Sequence, residues 1–352
     1  IPGLPLGGRR RDLGELELRM QKSVPLCDLH IHVGASVAPH IMWAIAHEQG
    51  FKLPVKDYWE FVDLVTADPD KVQSLEDYLK ILHVWTERIQ SSPAAMERSV
   101  YEIIGKEYRG SRVTRIELRF NPMKRNLGGE RDLDHIIHAA LRGMDRACLE
   151  YGVEAGLIFC LAREFPPEQN EKILEKAIKY AGRGIIGIDL AGTETEAMEL
   201  TESVGKYGRI FARARDSGLG TTVHTGETQA TSGEGVMAVL RELKPARIGH
   251  GVRAAFSEDA IQMLADSGCV LELCPTSNLR THAVEDLGQF GEIVSIFLAA
   301  GIPLTVNTDG TYLCRTNLEA EFQLLLDGAV LTQEQAETCR KLAFSSSFLE
   351  GR

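Results

Sequence analysis

Short apolar runs alternate with amphipathic helical segments along most of this 352-residue chain. Each run is apolar on both sides of the strand alternation, which is typical of strands buried on both faces of a parallel sheet. The eight runs span residues 25–32, 113–120, 154–161, 184–191, 220–224, 247–250, 269–273 and 302–307. The clearest helical segments span residues 132–151, 167–183, 194–217, 233–243, 257–267 and 288–300. Eight strands, each followed by a helix, predict an α/β fold of the closed (β/α)8 type, the TIM barrel.

The chain predicts one barrel domain with two additions. Residues 1–22 are rich in glycine and proline and then in charge, so we expect an N-terminal extension, with the barrel domain spanning 23–352. The stretch from about 39 to 110 is too long for one helix and contains all three tryptophans, and it predicts several helices inserted after the first strand. Insertions at that edge of a barrel often cover the active site, so we expect a helical roof.

Charge and cysteine content disfavour several classes of partner. The chain carries 39 basic and 50 acidic side chains, for a net charge of −11, which disfavours binding to nucleic acid or to an anionic membrane surface. No apolar run reaches the roughly 18–20 residues that span a bilayer. The seven cysteines are scattered, odd in number and without a Cys-x-x-Cys pair. We therefore expect reduced thiols in a cytoplasmic protein whose partner is a small molecule.

Metal-compatible side chains stand at the ends of several predicted strands. His30 and His32 are two residues apart at the end of the first strand, so both imidazoles point to the same face. His224 ends the fifth strand and Asp309 follows the eighth. The strand ends meet at one rim of a barrel, where catalysis occurs in this fold. A lone strand-end histidine is most simply structural, but three imidazoles and a carboxylate at one rim predict a site for Zn²⁺ or a similar divalent ion.

Two further residues near the same rim are candidates for proton transfer. Glu227 lies three residues after His224, so its carboxyl group can exchange protons with a water activated by the metal. The alternative role for Glu227 is that of a helix N-terminal glutamate stabilised by the helix dipole. His250 lies between two glycines at the end of the sixth strand, and we predict that it orients or activates the attacking water.

In this order, these residues resemble the adenosine deaminase family of metal-dependent hydrolases, from about residue 25 to about residue 347. The motifs that carry the resemblance are His30-Ile31-His32, Gly187-Ile188-Asp189-Leu190-Ala191-Gly192, Val223-His224-Thr225-Gly226-Glu227, Arg247-Ile248-Gly249-His250-Gly251, Leu273-Cys274-Pro275-Thr276-Ser277-Asn278 and Asn307-Thr308-Asp309.

The resemblance implies a role for each candidate residue. The implied ligands of one zinc ion per chain are His30, His32, His224 and Asp309. Glu227 is implied to donate a proton to the ring nitrogen beside the reacting carbon, and His250 to orient or deprotonate the zinc-bound water. The backbone amide of Gly192 is implied to hydrogen-bond the other nitrogen of the six-membered ring. The implied reaction is hydrolytic loss of ammonia from an amino-heterocycle.

The sequence departs from this family at two positions. Gly34 stands where the family has an aspartate that reaches the sugar of the nucleoside, and Gly310 stands where a second aspartate binds the five-membered ring of the purine. Because losing a hydrogen-bonding group often changes selectivity strongly, the substrate is implied to be a 5′-modified adenosine, such as aminofutalosine, or another amino-heterocycle. We expect open space at Gly34 for a bulkier group. A side chain from elsewhere that fills either gap would instead favour compensated recognition of adenosine.

Three alternatives stay open. The first is an adenosine or adenine deaminase proper. The second is another metal hydrolase of the same superfamily; many of these carry a metal-bridging lysine on the fourth strand, and residues 184–191 contain none, which favours a single-metal site. The third is a non-catalytic barrel, which the presence of Glu227 and His250 beside a full set of ligands disfavours.

Other predictions concern residues near the rim or inside the barrel. Ser277 and Asn278 follow the seventh strand and could face the substrate, although a turn also explains them. Glu117 and Arg119 alternate with apolar residues on the second strand, and we predict that they pair with each other inside the barrel. The oligomeric state does not follow from the sequence.

Overall fold

The computed structural model describes residues 24–350, apart from 69, 128, 130–131 and 195–196. The predicted N-terminal extension, residues 1–22, lies outside the described residues. Within them, eight parallel strands pair in sequential order, each with the next along the chain. The strands are β1 (Leu26–His32), β2 (Val113–Phe120), β3 (Glu154–Ala162), β4 (Ile185–Ala191), β5 (Gly220–Thr225), β6 (Arg247–His250), β7 (Val270–Leu273) and β8 (Leu304–Val306). The predicted TIM barrel is confirmed, and no strand bound differs from its prediction by more than two residues.

The barrel closes between β8 and β1 at the rim where the strands end. Ile31 and Asp309 form a parallel bridge across this seam. The Asp309 backbone N–H donates to the His30 carbonyl (2.8 Å), and the His32 N–H donates to the Asp309 carbonyl (2.7 Å). Barrel closure therefore places Asp309 beside both histidines of β1, although the two segments are far apart in the sequence.

Helices surround the barrel and connect its strands. The α-helices are Val33–Ser36, Pro39–Glu48, Tyr58–Leu64, Leu75–Ile81, Glu87–Ile89, Pro93–Ser111, Leu133–Tyr151, Pro167–Lys179, Ala197–Asp216, Ser232–Glu242, Glu258–Ser267, Pro275–Arg280, Leu287–Ala299, Leu318–Asp327 and Gln333–Ser345. Local start and stop signals explain several bounds. The Ser257 hydroxyl caps Glu258–Ser267 by accepting from the Ala260 N–H, and Gly268 ends that helix in a left-handed conformation.

The stretch between β1 and β2 contains several helices, as the sequence predicts for residues 39–110. One of its segments, Leu82–Thr86, is a π-helical turn that continues the helix Leu75–Ile81. Residues of these two segments reach over the mouth of the barrel and form part of the wall of a cleft there. π-Turns of this kind are frequent at functional sites because they redirect side chains within a helix.

Two simpler expectations can also be compared with the structure. None of the helices in the described part of the chain combines the length and the apolar composition needed to cross a bilayer. The seven cysteines all lie among the described residues and are unpaired, and all but Cys148 are buried. Unpaired buried thiols agree with the expectation of reduced cysteines.

Candidate active site

The four predicted metal ligands meet at the barrel rim. One donor atom from each lies within 4.8 Å of the donor atoms of the others, in a set made of His30, His32, His224 and Asp309. Nε2 of His32 is 3.0 Å from Nε2 of His224. Oδ1 of Asp309 is 3.4 Å from Nε2 of His32 and 3.6 Å from Nε2 of His30. The ends of β1 and β5 and the third residue after β8 therefore converge on one point.

The chemistry of this donor set fits a divalent metal ion. Nε2 of His30 is buried and has no hydrogen-bond partner among the described residues, which is costly unless a ligand satisfies it. Burial lowers the pKa of His32, and a neutral imidazole is the form that binds metal. Burial alone would raise the pKa of Asp309, but its contacts with His30 and His32 hold that pKa well below its usual value. Neutral imidazoles with an ionised carboxylate are a ligand set that Zn²⁺ accepts.

Two buried carboxylates orient two of the imidazoles. Nδ1 of His30 lies 2.8 Å from Oε2 of Glu272 on β7, and Nδ1 of His224 lies 2.9 Å from Oδ2 of Asp189 on β4. Each carboxylate therefore engages the ring nitrogen that points away from the cluster, leaving Nε2 free to face the other donors. A second layer of this kind fixes the tautomer and the ring orientation of a metal ligand.

Arg119 on β2 holds both of these carboxylates. Its Nη1 lies 3.2 Å from Asp189, and its Nη2 lies 2.9 Å from Glu272. The predicted pair between Glu117 and Arg119 is wrong, because Glu117 binds Arg247 instead. Glu117 and Arg119 both point into the barrel, because residues two apart on a strand share a face. Inside the barrel each of them binds a side chain from another strand instead of its neighbour on β2.

This second layer is not among the sequence-based predictions, although the sequence contains a signal for it. Asp189 and Glu272 each interrupt an otherwise apolar run in the middle of a predicted strand. A carboxylate buried inside a barrel has to be paired, because an isolated buried charge is too costly. Charged residues in the middle of doubly buried strands thus indicate an internal ion-pair network, but their partners cannot be read from the spacing.

Glu227 and His250 face each other beside the metal-ligand cluster. Oε2 of Glu227 is 3.6 Å from Nε2 of His250. Burial, followed by the nearby charges of Asp309 and Glu194, raises the pKa of Glu227 to about 8. Burial lowers the pKa of His250 to about 4. At neutral pH this pair combines a protonated carboxylic acid with a neutral imidazole, which can respectively donate and accept a proton.

Glu194 anchors the loop that carries Glu227. Its carboxylate accepts from the backbone N–H groups of Glu227 (3.2 Å) and Thr228 (2.9 Å), and the hydroxyl of Thr231 also donates to it. Glu194 is not among the site residues predicted from the sequence. Glu194 lies three residues after the end of β4, and this position near a strand end is the one sequence signal that it belongs to the site.

Two site residues adopt a backbone conformation that L-amino acids rarely take. His250 has φ +65° and Asp309 has φ +60°. Such conformations cost free energy and persist where the surrounding structure over-determines them, which is common at functional sites. Gly249 makes room for the site in another way, since a Cβ there would lie 2.7 Å from Cε1 of His30.

Ser277 and Asn278 are buried behind the site residues rather than on the cleft wall. Oγ of Ser277 donates to Oδ2 of Asp309 at 2.5 Å, and Nδ2 of Asn278 lies 3.0 Å from Nδ1 of His250. Neither residue lines the cleft. The structure thus gives them contacts with the carboxylate and the imidazole, in place of the substrate contact that the sequence predicts.

A cleft of about 700 Å³, counting solvent at its mouth, opens above these residues. From the barrel rim it is lined by His32, Gly192, His224, Glu227, His250 and Asp309. From the inserted helices it is lined by Leu75, Tyr78, Leu79, Leu82, His83 and Glu87. Gly192 thus borders the same space as the proposed acid–base pair, where its backbone can approach a ligand closely.

The expectation of open space at Gly34 is wrong. A Cβ at Gly34 would lie 2.8 Å from Nη2 of Arg125 and 2.8 Å from Cδ1 of Leu82. At Gly310 a Cβ would lie 2.5 Å from Cβ of Ala35 and 2.7 Å from the hydroxyl oxygen of Tyr78. Side chains from the β2 turn and from the inserted helices occupy the volume that aspartates would need at these two positions. Gly310 does not itself line the cleft.

We predict that Asp189→Asn weakens metal binding. The asparagine keeps the volume but removes the charge that orients His224, and loss of such an outer partner typically reduces metal affinity by about 10-fold to 100-fold. Competition with a chromophoric zinc chelator measures the affinity. Asp145→Asn, which alters an exposed pair with Arg183, is the control and should leave the affinity unchanged. Equal affinity in a folded Asp189→Asn protein would contradict the orienting role.

Comparisons with known proteins identify the family of this chain. The family model for adenosine deaminase matches residues 25–352. A curated adenosine deaminase from Vibrio vulnificus is 28% identical over 325 residues, covering 92% of this chain and 94% of that protein.

Solved structures share the fold across nearly the whole chain. Adenine deaminase from Arthrobacter aurescens superposes with a TM-score of 0.81 at 22% identity, covering 93% of this chain and 94% of that one. An amidohydrolase from Burkholderia ambifaria, solved with bound Zn, has a TM-score of 0.79 at 18% identity, covering 99% of this chain and 90% of that one.

Proposed function

The chain belongs to the adenosine deaminase family and is a hydrolytic deaminase; from that premise we propose that it removes the exocyclic amine of a modified adenosine rather than of adenosine itself. Four metal-compatible donors, an acid and a base that meet at one cleft support the deamination, and the observation that carries the choice of a modified substrate is the guanidinium of Arg125 beside Gly34. The cytoplasm is the proposed location, which the seven unpaired cysteines support.

The metal site is proposed to hold one zinc ion through the four donors at the rim. These are the imidazoles of His30, His32 and His224 and the carboxylate of Asp309. When bound, the ion would supply a water acidic enough to give hydroxide near neutral pH. The absence of a lysine on β4 supports a single metal, as does Asp189 engaging His224 from behind.

Glu227 and His250 are proposed to handle the protons of the reaction. Glu227, kept protonated by its raised pKa, donates to the ring nitrogen beside the amine-bearing carbon and so makes that carbon electrophilic. His250, kept neutral by its lowered pKa, accepts a proton from the attacking water and orients it. The water loses one proton to His250 as its oxygen adds to the carbon, and that proton then passes to the amine as the C–N bond breaks and ammonia leaves. The remaining hydroxyl proton returns to Glu227, and the ring retains the oxygen as a carbonyl group. The Gly192 N–H is proposed to hold the other nitrogen of the six-membered ring.

Side chains fill the space at both glycine positions, and that filling by itself favours compensated recognition of adenosine; the proposal of a modified substrate rests on the polarity of the group beside Gly34. At residue 34 an aspartate would accept hydrogen bonds from a sugar hydroxyl, whereas the guanidinium of Arg125 that fills this volume can only donate. A sugar hydroxyl can still accept from this guanidinium, but one hydroxyl cannot satisfy both of the buried nitrogens, Nε and Nη1, that lack a partner among the described residues. Because a ligand that leaves buried donors unpaired binds poorly, unmodified adenosine is proposed to be a poor substrate.

A second candidate, deamination of adenosine or adenine proper, is favoured by one observation. The hydroxyl of Tyr78 occupies the volume beside Gly310, where a family member would place an aspartate. A phenol can donate a hydrogen bond to a ring nitrogen of the purine, so Tyr78 can compensate for the missing carboxyl group. Tyr78 can compensate only for the contact with the purine base. The replacement of the family's aspartate by Gly34 at the sugar end is not compensated by it.

Ammonia release from a substrate panel tests the proposal. We expect the zinc-loaded protein to deaminate at least one 5′-modified adenosine with a kcat/KM at least 10-fold above that for adenosine, and to contain about one metal per chain. The panel comprises adenine, adenosine, AMP, 5′-deoxy-5′-substituted adenosines, guanine and aminopterins. A wide preference for adenosine or adenine would select the second candidate. Two metals per chain would favour another class of metal hydrolase, and no turnover on any substrate would favour a non-catalytic barrel.

A further inference from the structure

Arg125, in the turn after β2, has hydrogen-bonding capacity that the protein does not use. Its side chain is only 1% exposed, yet it lines the cleft. Nη2 lies 3.1 Å from Oε1 of Glu87, whereas Nε and Nη1 have no hydrogen-bond partner among the described residues. Buried guanidinium N–H groups without acceptors are rare, because their lost hydration is not replaced. The two free nitrogens therefore point to an acceptor that a ligand supplies.

The groups around Arg125 form a chain of alternating donors and acceptors. Glu87, on the helix that follows the π-turn, also binds Nδ1 of His83 at 2.6 Å. Nε2 of His83 lies 3.4 Å from Nζ of Lys124, and Lys124 pairs with Glu164. Each member has a partner within this chain, and among their buried polar side-chain atoms those without a partner in the described residues are Nε and Nη1 of Arg125.

The cleft wall at this end is positively charged. Among the residues that line it here, Arg125 and Lys124 are cations and Glu87 is an anion. Glu164 does not line the cleft and is 42% exposed, so its ion pair with Lys124 is weak and leaves the ammonium free to reach a ligand. The catalytic end of the cleft differs in charge, because Glu227 and Asp309 contribute carboxyl groups there.

We propose that Arg125 and Lys124 bind an anionic oxygen group of the substrate, a phosphate or a carboxylate attached at the end of the molecule that lies beside Gly34. The inference rests on the proposed deaminase function and specifies its substrate class. Arginine is suited to this role because its planar donors match the oxygens of both groups, and lysine adds a mobile charge. The substrate is thus an adenine-like nucleoside that carries a negative charge at its sugar end.

Three adenine nucleosides that differ at the 5′ position test this inference. They are adenosine, AMP and adenosine-5′-carboxylate, compared by kcat/KM for ammonia release and by their dissociation constants from calorimetry. We expect the wild type to favour at least one anionic nucleoside over adenosine by about 10-fold to 100-fold, the range for one charge-assisted contact. AMP above the carboxylate would identify phosphate as the group, and the reverse order would identify carboxylate.

Two variants test whether Arg125 provides the preference. Arg125→Lys keeps a cation beside Glu87 and should lose most of the anionic preference, because a lysine cannot reproduce the planar donors. The double variant with Arg125→Met and Glu87→Met replaces the buried ion pair by apolar groups of similar size. It leaves no unpaired buried charge, so it provides a folded protein even if Arg125→Lys fails to fold. Its preference for anionic nucleosides should also fall at least 10-fold. Arg88→Lys, at an exposed position next to Glu87, is the control and should behave like the wild type.

The outcomes separate the inference from the proposed function. Turnover of adenosine with no gain for either anionic nucleoside would overturn the inference and leave the deaminase function standing. Equal losses for neutral and anionic nucleosides in both variants would also overturn it. If no nucleoside is deaminated, the proposed function fails, and the dissociation constants decide the inference: AMP or the carboxylate must bind at least 10-fold more tightly than adenosine for it to stand.

Discussion

Replacing Glu227 by glutamine is expected to lower kcat/KM for deamination by about 10²-fold to 10⁴-fold, the usual contribution of a positioned general acid. Glutamine has the same shape and can still hydrogen-bond the ring nitrogen, but it cannot transfer a proton to it. The loss should appear in kcat more than in KM, because the proton moves in the transition state. Ammonia release from the best substrate of the panel measures the effect.

Two controls separate this chemical role from a structural one. Metal content and melting temperature of the Glu227→Gln protein should match those of the wild type, because the side chain is not among the four clustered donors. Glu234→Gln removes an exposed carboxylate from the first turn of the following helix and should retain full activity. Activity of Glu227→Gln within a factor of three of the wild type would show that another group supplies the proton.

Replacing Arg119 by methionine is expected to lower the free energy of unfolding by about 3–5 kcal/mol, the usual cost of breaking a buried ion pair on one side. Arg119 is fully buried and binds Asp189, Glu272 and the carbonyl oxygen of Leu29 (2.6 Å). Methionine fills much of the volume but leaves two carboxylates without their shared cation. Equilibrium unfolding in urea measures the difference.

The matched control for Arg119→Met lies on the surface. Arg142 is 68% exposed and pairs with Glu97, so Arg142→Met should cost less than about 1 kcal/mol. The variant at position 119 should also bind zinc more weakly, because the carboxylates that orient His30 and His224 lose their own anchor. A loss below 1 kcal/mol at position 119 would mean that Asp189 and Glu272 are stabilised without it.

The barrel could be predicted because its signals are local. Each strand is a run of residues that are apolar on both faces, and each helix has a periodic apolar face, so a window of a few residues is sufficient to identify them. The count of eight then selects a closed barrel. The strand whose predicted length differs most is β8: it spans Leu304–Val306, whereas the prediction covers residues 302–307, two residues before the strand and one after it.

The candidate site was predictable in part for the same reason. His30, His32, His224 and Asp309 stand at strand ends, and every strand end reaches the same rim, so their approximate meeting point follows from the fold class. Ser277 and Asn278 were also placed at the rim, but which side of the rim they face depends on packing. They contact Asp309 and His250 from behind because the short helix after β7 lies outside the cleft.

The linear order of residues thus determines which chemical groups are present and which of them reach the rim, since strand formation and side-chain alternation depend on near neighbours. The choice of partner for each buried charge belongs to the folded barrel. Arg119 binds Asp189 and Glu272 rather than Glu117, and Arg125 fills the volume beside Gly34, 91 positions earlier in the chain. Such contacts join segments that only barrel closure and helix packing bring together, so no local pattern in the sequence encodes them.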